Sequence, residues 1–143
     1  MEERKPILDI QNLYIDYKVY GGYAKVINGL NLKVYPGEKI SLVGESGCGK
    51  TTTVKSILRV LPSQARIPQG KIIFDGQDVL SLNVKELNKM RGQKLSMIFQ
   101  DPTASLNPVF TIGKQIRDII FYSGVVSQKD KKKIQERAIR ALM

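Results

Sequence analysis

One octapeptide, Gly44-Glu45-Ser46-Gly47-Cys48-Gly49-Lys50-Thr51, restricts what this chain can fold into more than any other stretch. It fits the phosphate-binding template of Gly, four variable residues, Gly, Lys and then Ser or Thr. Gly47 and Gly49 can take positive φ angles, so several backbone N–H groups of one turn can point at the same anion. Lys50 offers a positive charge to the outer phosphates of a nucleoside triphosphate, and Thr51 offers a hydroxyl to the accompanying Mg²⁺. The octapeptide therefore predicts a nucleotide-binding loop.

The residues on either side of the loop have the strand–loop–helix context that the template needs. The apolar run Lys39–Val43 follows the turn signal Tyr35-Pro36-Gly37 and predicts a buried strand. After the loop, apolar residues recur with the spacing of one helix face, at Val54, Ile57, Leu58 and Leu61. Pro62 is predicted to end this helix, whose positive dipole end adds to the site. The alternative, a glycine-rich turn that only connects two elements, is disfavoured by this context.

Length and composition set the broad class. With 143 residues, 42% of them hydrophobic and 25% charged, the sequence predicts one compact globular domain. A single cysteine and the absence of histidine exclude a disulfide framework and a His/Cys zinc site, and a reducing cytosol suits this composition. We expect no transmembrane span, since no run of about 18 apolar residues occurs, and no signal peptide. The net charge of +10 predicts an anionic partner, namely nucleotide, nucleic acid or an anionic membrane surface.

Four further segments are predicted to be strands. They are Ile7–Tyr17, Val26–Val34, Gly70–Phe74 and the buried-strand candidate Leu95–Phe99. In the first of them, Leu13, Ile15 and Tyr17 share one face. The chain is therefore expected to open with antiparallel β-structure and then to switch to the strand–loop–helix unit.

Three helices are predicted in the second half of the chain. Asn83 and Glu86 form a capping box for the first, which carries Val84, Leu87 and Met90. Thr111 is the predicted cap of the second, with the apolar stripe Ile112, Ile116, Ile119 and Ile120. Ser127 is the predicted cap of the third, with Ile134, Ala138, Ile139 and Leu142 on one side.

Three motifs, in order and spacing, resemble those of the nucleotide-binding ATPase subunit of ABC transporters. Gly44 to Thr51 is similar to the Walker A loop, and Gln100, at the end of the strand Leu95–Phe99, is similar to the Q-loop glutamine. Tyr17, 27 residues before Gly44, occupies the position of the adenine-stacking aromatic of the A-loop. The stretches Met97-Ile98-Phe99-Gln100-Asp101-Pro102, Ser105-Leu106-Asn107-Pro108 and Thr111-Ile112-Gly113 resemble the ATPases of oligopeptide and dipeptide importers.

The resemblance implies an α/β fold, the P-loop NTPase core of an ABC ATPase, with an N-terminal antiparallel β-subdomain. The chain would be the N-terminal part of one such domain and its core would be incomplete. Residues 1–37 and 68–80 would form the antiparallel β-subdomain, and residues 38–67 and 93–101 part of the P-loop core. Residues 102–143 would begin the α-helical subdomain.

The resemblance also implies a site and its cofactors, ATP and Mg²⁺. The implied ATP-binding residues are Tyr17, Gly44, Glu45, Ser46, Gly47, Cys48, Gly49, Lys50, Thr51, Thr52 and Gln100, of which Thr51 and Gln100 would also hold the metal. Cys48 is interpreted as a small residue that fills the loop, although its thiol should react with thiol reagents. Implied partners are the transmembrane permease subunits of an importer, a second ATPase subunit and, indirectly, a solute-binding protein, with no nucleic acid. The implied location is the cytoplasmic, inner face of the cell membrane.

The family's signature loop, Walker B strand and switch histidine do not occur in the sequence. We therefore expect a truncated ABC ATPase that binds nucleotide without hydrolysing it, while the parent protein would use ATP hydrolysis to power solute import. We also expect exposed apolar strand edges, and hence self-association, swapping or rearranged pairing. Two alternatives stay open: a nucleic-acid-associated P-loop ATPase, which would need a coiled-coil insertion after Gln100, and a non-catalytic nucleotide-binding or dimerisation module.

Overall fold

The structure, a computed structural model, describes residues 4–101 and 106–143. It separates into two units, Met1–Leu82 and Asn83–Met143, and each is described here by itself. Pro102 and Ser105, which belong to the importer-like stretch of the sequence, lie outside the described residues.

The first unit is built on a four-stranded antiparallel sheet. Its strands are β1 (Leu8–Val19), β2 (Gly22–Val34), β3 (Ala65–Phe74) and β4 (Gln77–Asp78), in the spatial order β2-β1-β3-β4. The predicted antiparallel start of the chain is thus confirmed. The third strand begins at Ala65, earlier than the predicted start at Gly70, so that Pro68 lies inside the strand. The register of β3 against β1 shifts on both sides of Tyr14, and such irregularities are where a strand tolerates proline.

Gly70 explains how β3 stays close to β1 at this irregularity. Its φ angle is 110°, a conformation that side-chain-bearing residues rarely adopt. A Cβ atom at this position would lie 2.5 Å from the Cα of Leu13 and 2.7 Å from the carbonyl oxygen of Asn12. Only glycine therefore allows the two backbones to approach this closely.

The two faces of the sheet differ in polarity, as the alternating pattern predicts. One face carries the fully buried aliphatic side chains of the first unit, which are Ile10, Leu13, Ile15 and Ile72, with Val79 from the turn after β4. The other face of β1 carries Tyr14, Asp16 and Lys18, of which Asp16 is buried although it is charged. Each aliphatic side chain removed from water contributes about 1.5–3 kcal/mol, so the buried face is what holds this unit together.

Helix α1 (Lys50–Ile57) follows the glycine-rich loop and contacts β2. It ends before the predicted stop at Pro62, because Arg59 adopts a left-handed conformation with φ 51°. The N–H of Arg59 donates to the carbonyl of Ser56, and the N–H of Val60 donates to that of Lys55. These two hydrogen bonds are the Schellman pattern of a helix C-terminus.

The two apolar runs Lys39–Val43 and Leu95–Phe99 do not form strands in the structure, so both strand predictions are wrong. Neither run pairs with another strand among the described residues, and a strand needs a ladder partner to satisfy its backbone. Most of their apolar side chains are exposed, with Val43 and Ile98 both at 92%. Apolar side chains of both runs are thus exposed, although the strands whose edges were expected to carry them do not form.

The described residues of the second unit form the helices α2 (Val84–Gln93), α3 (Ile112–Ser123) and α4 (Lys131–Arg140). Helix α3 contacts both α2 and α4. Apolar side chains on and between these helices form a small core of Leu87, Met90, Val126, Ile134 and Ala138. The predicted stripes are only partly buried, because Ile112, Ile119, Ile139 and Leu142 are about half exposed or more.

Two of the three predicted caps are confirmed. Asn83 and Glu86 form the reciprocal capping box at the start of α2, and the hydroxyl of Thr111 accepts from the N–H of Lys114 at the start of α3. The predicted cap of α4 is wrong: Asp130, not Ser127, accepts from the N–H of Lys133. Ser127 instead accepts from the N–H of Lys129 in the preceding turn.

Candidate nucleotide-binding site

The glycine-rich loop has the backbone conformation that its sequence predicts. Gly47 and Gly49 have φ angles of 84° and 93°, in the left-handed region. Gly49 also lies against β2, because an added Cβ would be 2.6 Å from the Cδ1 of Ile27 and 3.3 Å from the carbonyl oxygen of Val26. Gly49 is therefore required both for its φ angle and for the close approach of the loop to the sheet.

Helix α1 begins without a side-chain cap, in contrast to the three helices of the second unit. Its N-cap residue is Gly49, and its first turn contains no acidic residue. The first backbone hydrogen bond of the helix is donated by Thr53 to the carbonyl of Gly49. The N–H groups of Lys50, Thr51 and Thr52 therefore have no acceptor within the helix and carry its positive dipole end. Such a helix start is a place where an anion is stabilised.

The ammonium group of Lys50 lies against the backbone of the same loop. Its Nζ donates to the carbonyl oxygens of Gly44 at 2.7 Å and Glu45 at 2.6 Å, and lies 3.3 Å from the Sγ of Cys48. These three acceptors match the three N–H donors of an ammonium group. The loop therefore holds the positive charge of Lys50 beside the start of α1.

Cys48 fills space in the loop, as its sequence context predicts. Its side chain is exposed and lies next to Gly44. A Cβ atom added at Gly44 would be 2.7 Å from the Sγ of Cys48. An open depression of about 300 Å³ lies between the loop and β2. Its lining combines aliphatic side chains, among them Val26, Ile27 and Leu30, with the polar residues Asn28, Lys50 and Thr53. This lining is therefore part aliphatic and part polar.

Tyr17 lies close to the loop and helix, although it precedes them by many residues. Its hydroxyl is 3.5 Å from the Oγ1 of Thr52 in the first turn of α1. Its cross-strand partners are Ala24 on β2 and Ala65 on β3. Both partners are small, so neither directly paired side chain extends over the half-buried tyrosine ring. The structure thus brings Tyr17 together with the glycine-rich loop.

Gln100 lies in the second unit, in the exposed stretch after α2. Its membership of the site therefore remains a prediction. Thr51 lies in the first unit, in the first turn of α1, with an exposed side chain. Within residues 4–101 and 106–143, no group of three or more His, Cys, Asp or Glu side chains is arranged to hold a metal ion.

Sequence reasoning missed three side chains next to Tyr17. Asp16 accepts from Arg66 at 2.9 Å, and the guanidinium of Arg66 stacks on the ring of Tyr23. The alternation of β1 predicts that Asp16 faces away from Tyr17. Its partner was not predictable, because Arg66 precedes the predicted strand Gly70–Phe74 and belongs to β3 only in the structure.

The helices of the described part of the chain are too short or too polar to cross a membrane.

Comparison with known sequences identifies the family. Residues 27–142 match the pattern that defines the ABC transporter family.

Two relatives come from Bacillus subtilis (strain 168). The oligopeptide transport ATP-binding protein OppD is 39% identical over 137 residues, which cover 95% of this chain and 37% of that protein. The dipeptide transport ATP-binding protein DppD is 39% identical over 128 residues, which cover 89% of this chain and 38% of that protein. The chain thus spans less than two fifths of the length of these relatives.

Solved structures support the same fold. The dimeric structure of MJ0796, a bacterial ABC transporter cassette, has a TM-score of 0.76 and 24% identity, and covers 94% of this chain and 55% of that one. A bacterial Atm1-family ABC exporter with ATP bound has a TM-score of 0.54 over 82% of this chain and 18% of that one, again at 24% identity. At this identity the likeness concerns the fold alone. The family match over residues 27–142 establishes that the chain belongs to the ABC transporter family and carries sequence of its ATPase domain.

Proposed function

We propose that the chain binds Mg·ATP at the loop Gly44–Thr51 as part of an ATPase that powers the import of peptides or related solutes. The observation that carries this proposal is the uncapped start of α1, with the charge of Lys50 held beside it by loop carbonyls. Together they form a cradle of backbone N–H groups and one ammonium, which matches the charge and geometry of a polyphosphate. The phosphates would compete with the loop carbonyls for the donors of Lys50.

The remaining groups of the proposed site act on the base and the metal. Tyr17 stacks on adenine, a contact that is worth about 1–3 kcal/mol by analogy with other base–aromatic stacking. The hydroxyl of Thr51 and the amide oxygen of Gln100 are hard oxygen ligands of the kind that Mg²⁺ prefers. The exposed position of Thr51 in the first turn of α1 supports its proposed role as a Mg²⁺ ligand. When bound, Mg²⁺ would neutralise part of the phosphate charge.

The proposed substrate class and partners follow from the names of the relatives. Those names describe ATP-binding proteins of oligopeptide and dipeptide transport. We infer that this chain acts with transmembrane permease subunits and a second ATPase subunit, at the cytoplasmic face of the membrane. We also infer that these 143 residues bind nucleotide without hydrolysing it, since the family's hydrolytic groups belong to motifs outside this sequence. Phosphate release at the background rate, despite nucleotide binding, is the expected result of an ATPase assay.

Lys50→Ala tests the phosphate site. We expect the dissociation constant for Mg·ATP to rise about tenfold or more, because charge-assisted hydrogen bonds to the phosphates are lost. Titration with a fluorescent nucleotide measures it, and circular dichroism checks that the fold is kept. Lys55→Ala is the matched control, because Lys55 lies in the last turn of the same helix, away from the loop. Equal affinities of the wild-type chain and the Lys50 variant would contradict the proposal.

A further inference from the structure

Three side chains from three neighbouring strands meet on the sheet face behind Tyr17. Arg66 of β3 donates from Nε at 3.1 Å and from Nη2 at 2.9 Å to the same carboxylate oxygen, Oδ2 of Asp16 on β1. The guanidinium carbon of Arg66 also lies 3.4 Å from the ring centroid of Tyr23 on β2. Asp16 is only 5% exposed, whereas half of the Arg66 side chain is exposed. We call Asp16, Tyr23 and Arg66 the strand clamp.

The strand clamp is in register with Tyr17. The cross-strand partners of Tyr17 are Ala24 and Ala65, and each of them is adjacent in sequence to a clamp residue. Asp16 is likewise adjacent to Tyr17 itself. Because successive side chains of a strand point to opposite faces, the clamp lies behind the ring of Tyr17 and not beside it. It therefore links the three backbone segments on which the ring sits, without contacting a ligand on the other face.

A second backbone contact holds the same segment. The N–H of Lys18 donates to the carbonyl oxygen of Gln64 at 2.8 Å, one residue beyond the pair formed by Tyr17 and Ala65. The β1–β2 hairpin ends soon after, at Val19 and Gly22, and its tip residue Tyr20 is fully exposed. Ends of hairpins are the parts of a sheet that open most readily. The clamp thus connects β2, β1 and β3 close to this tip.

We propose that Asp16, Tyr23 and Arg66 are positioning residues that fix the ring of Tyr17 for stacking on the nucleobase. They thereby set the preference of the site for a nucleoside triphosphate over a bare polyphosphate chain. The planar guanidinium suits this role, because it can pair with a carboxylate and stack on an aromatic ring at the same time. This inference rests on the proposed nucleotide-binding function and adds a determinant of base recognition to it.

The test compares two ligands, Mg·ATP and Mg·tripolyphosphate, by calorimetric titration of the whole chain. Tyr23→Ala removes the stacking of Arg66 on the Tyr23 ring but leaves the ion pair between Arg66 and Asp16 intact, so the risk to folding is small. We expect it to raise the dissociation constant for Mg·ATP about three- to tenfold, because a less well positioned Tyr17 ring loses part of its stacking energy with the base. The dissociation constant for Mg·tripolyphosphate should not change. Tyr23→Phe, which keeps the stacked ring, should restore the wild-type value for Mg·ATP.

Arg66→Ala is the stronger variant and should reduce Mg·ATP affinity at least as much. Lys71→Ala is its matched control, because Lys71 is an exposed basic residue of the same strand, paired with Gln11 away from Tyr17. In a Tyr17→Ala background, adding Arg66→Ala should cause no further loss for Mg·ATP, since the two residues act through one contact. Additive losses would overturn the inference.

Two further results would contradict the proposed positioning role of the strand clamp. Equal weakening of both ligands by Tyr23→Ala would mean that the cluster supports only the fold, and unchanged binding of both would mean that it does not position Tyr17. Failure of the proposed function looks different, because then the wild-type chain binds neither ligand.

Discussion

Gly49 is the residue at which the loop conformation and its packing against β2 act together. Its φ angle is 93°, and an added Cβ would lie 2.6 Å from the Cδ1 of Ile27. Gly49→Ala is therefore expected to reduce the free energy of unfolding by about 2–4 kcal/mol, from left-handed strain plus overpacking. Urea denaturation followed by circular dichroism measures this change.

Gly47→Ala is the control for this prediction. Gly47 has a similar φ angle of 84°, but nothing lies within 4 Å of a Cβ added there. Its substitution should cost only the backbone strain, about 1–2 kcal/mol. If the two variants are equally destabilised, close packing of the loop against β2 is not a determinant of stability.

At the residue scale, the sequence predicted what depends on local backbone conformation. The glycines of the loop, the position of Lys50 and the cap at Thr111 follow from residues within a few positions of one another. The strand clamp was not predictable in this way, because Asp16 and Arg66 are 50 positions apart in the chain. Their contact depends on the register of β3, which the sequence does not fix by itself.

Helix α1 ends earlier than the sequence predicts. Arg59 takes the left-handed position of the Schellman pattern, usually occupied by glycine, and its Nη1 donates to the carbonyl oxygens of Leu82 at 2.7 Å and Val79 at 3.3 Å. These contacts favour a residue that would otherwise be strained. The helical periodicity that continues to Leu61 carries no information about them.

Two substitutions of Arg59 separate strain from side-chain contacts. Both Arg59→Ala and Arg59→Gly remove the hydrogen bonds to Val79 and Leu82, but only glycine relieves the left-handed strain. The glycine variant is therefore expected to be more stable than the alanine variant by about 1 kcal/mol. Thermal and urea unfolding of the pair measure the difference. Equal stabilities would show that the conformation of Arg59 carries no strain.

Helix α4 is expected to lose stability in acid because of its N-cap. The N–H of Lys133, and then its ammonium, lower the pKa of Asp130 below the ordinary value of 3.8. A carboxyl group whose pKa is lower in the folded state stabilises that state above the unfolded pKa. This stabilisation is lost as the pH falls through the folded pKa. Helicity should therefore decrease below about pH 4, which circular dichroism measures.

Asp130→Asn isolates this effect from the other carboxyl groups. Asparagine caps a helix without titrating, so the variant should lose less helicity than the wild-type chain between pH 5 and about pH 2. Ser127→Ala is the matched control and should leave the acid profile unchanged, since Asp130 is the cap. A Ser127 variant that loses helicity at neutral pH would restore the original assignment of the cap.

At the scale of the whole chain, hydrophobic composition and burial do not coincide. Although 42% of the residues are hydrophobic, several large apolar side chains are exposed, among them Val43, Ile98, Val109, Ile119 and Tyr122. The sequence predicts burial for the first two because continuous apolar runs are typical of strands inside a sheet. It could not predict their exposure in the structure, because burial depends on a ladder partner and not on the run itself. The β1–β2 hairpin, by contrast, brings its own partner within a few residues.

Exposed apolar runs that are not paired with another strand are templates for association between chains. We therefore expect the chain to self-associate at tens of micromolar, as measured by light scattering coupled to size-exclusion chromatography. Val43→Thr and Ile98→Thr together should shift the chain toward the monomer, because threonine keeps the β-propensity of the run while reducing its apolar surface. Val84→Thr is the control: Val84 is 72% exposed but lies in the first turn of α2, where the backbone belongs to a helix. A wild-type chain that elutes as a monomer at these concentrations, or a Val84 variant that dissociates as readily, would contradict pairing through the two runs.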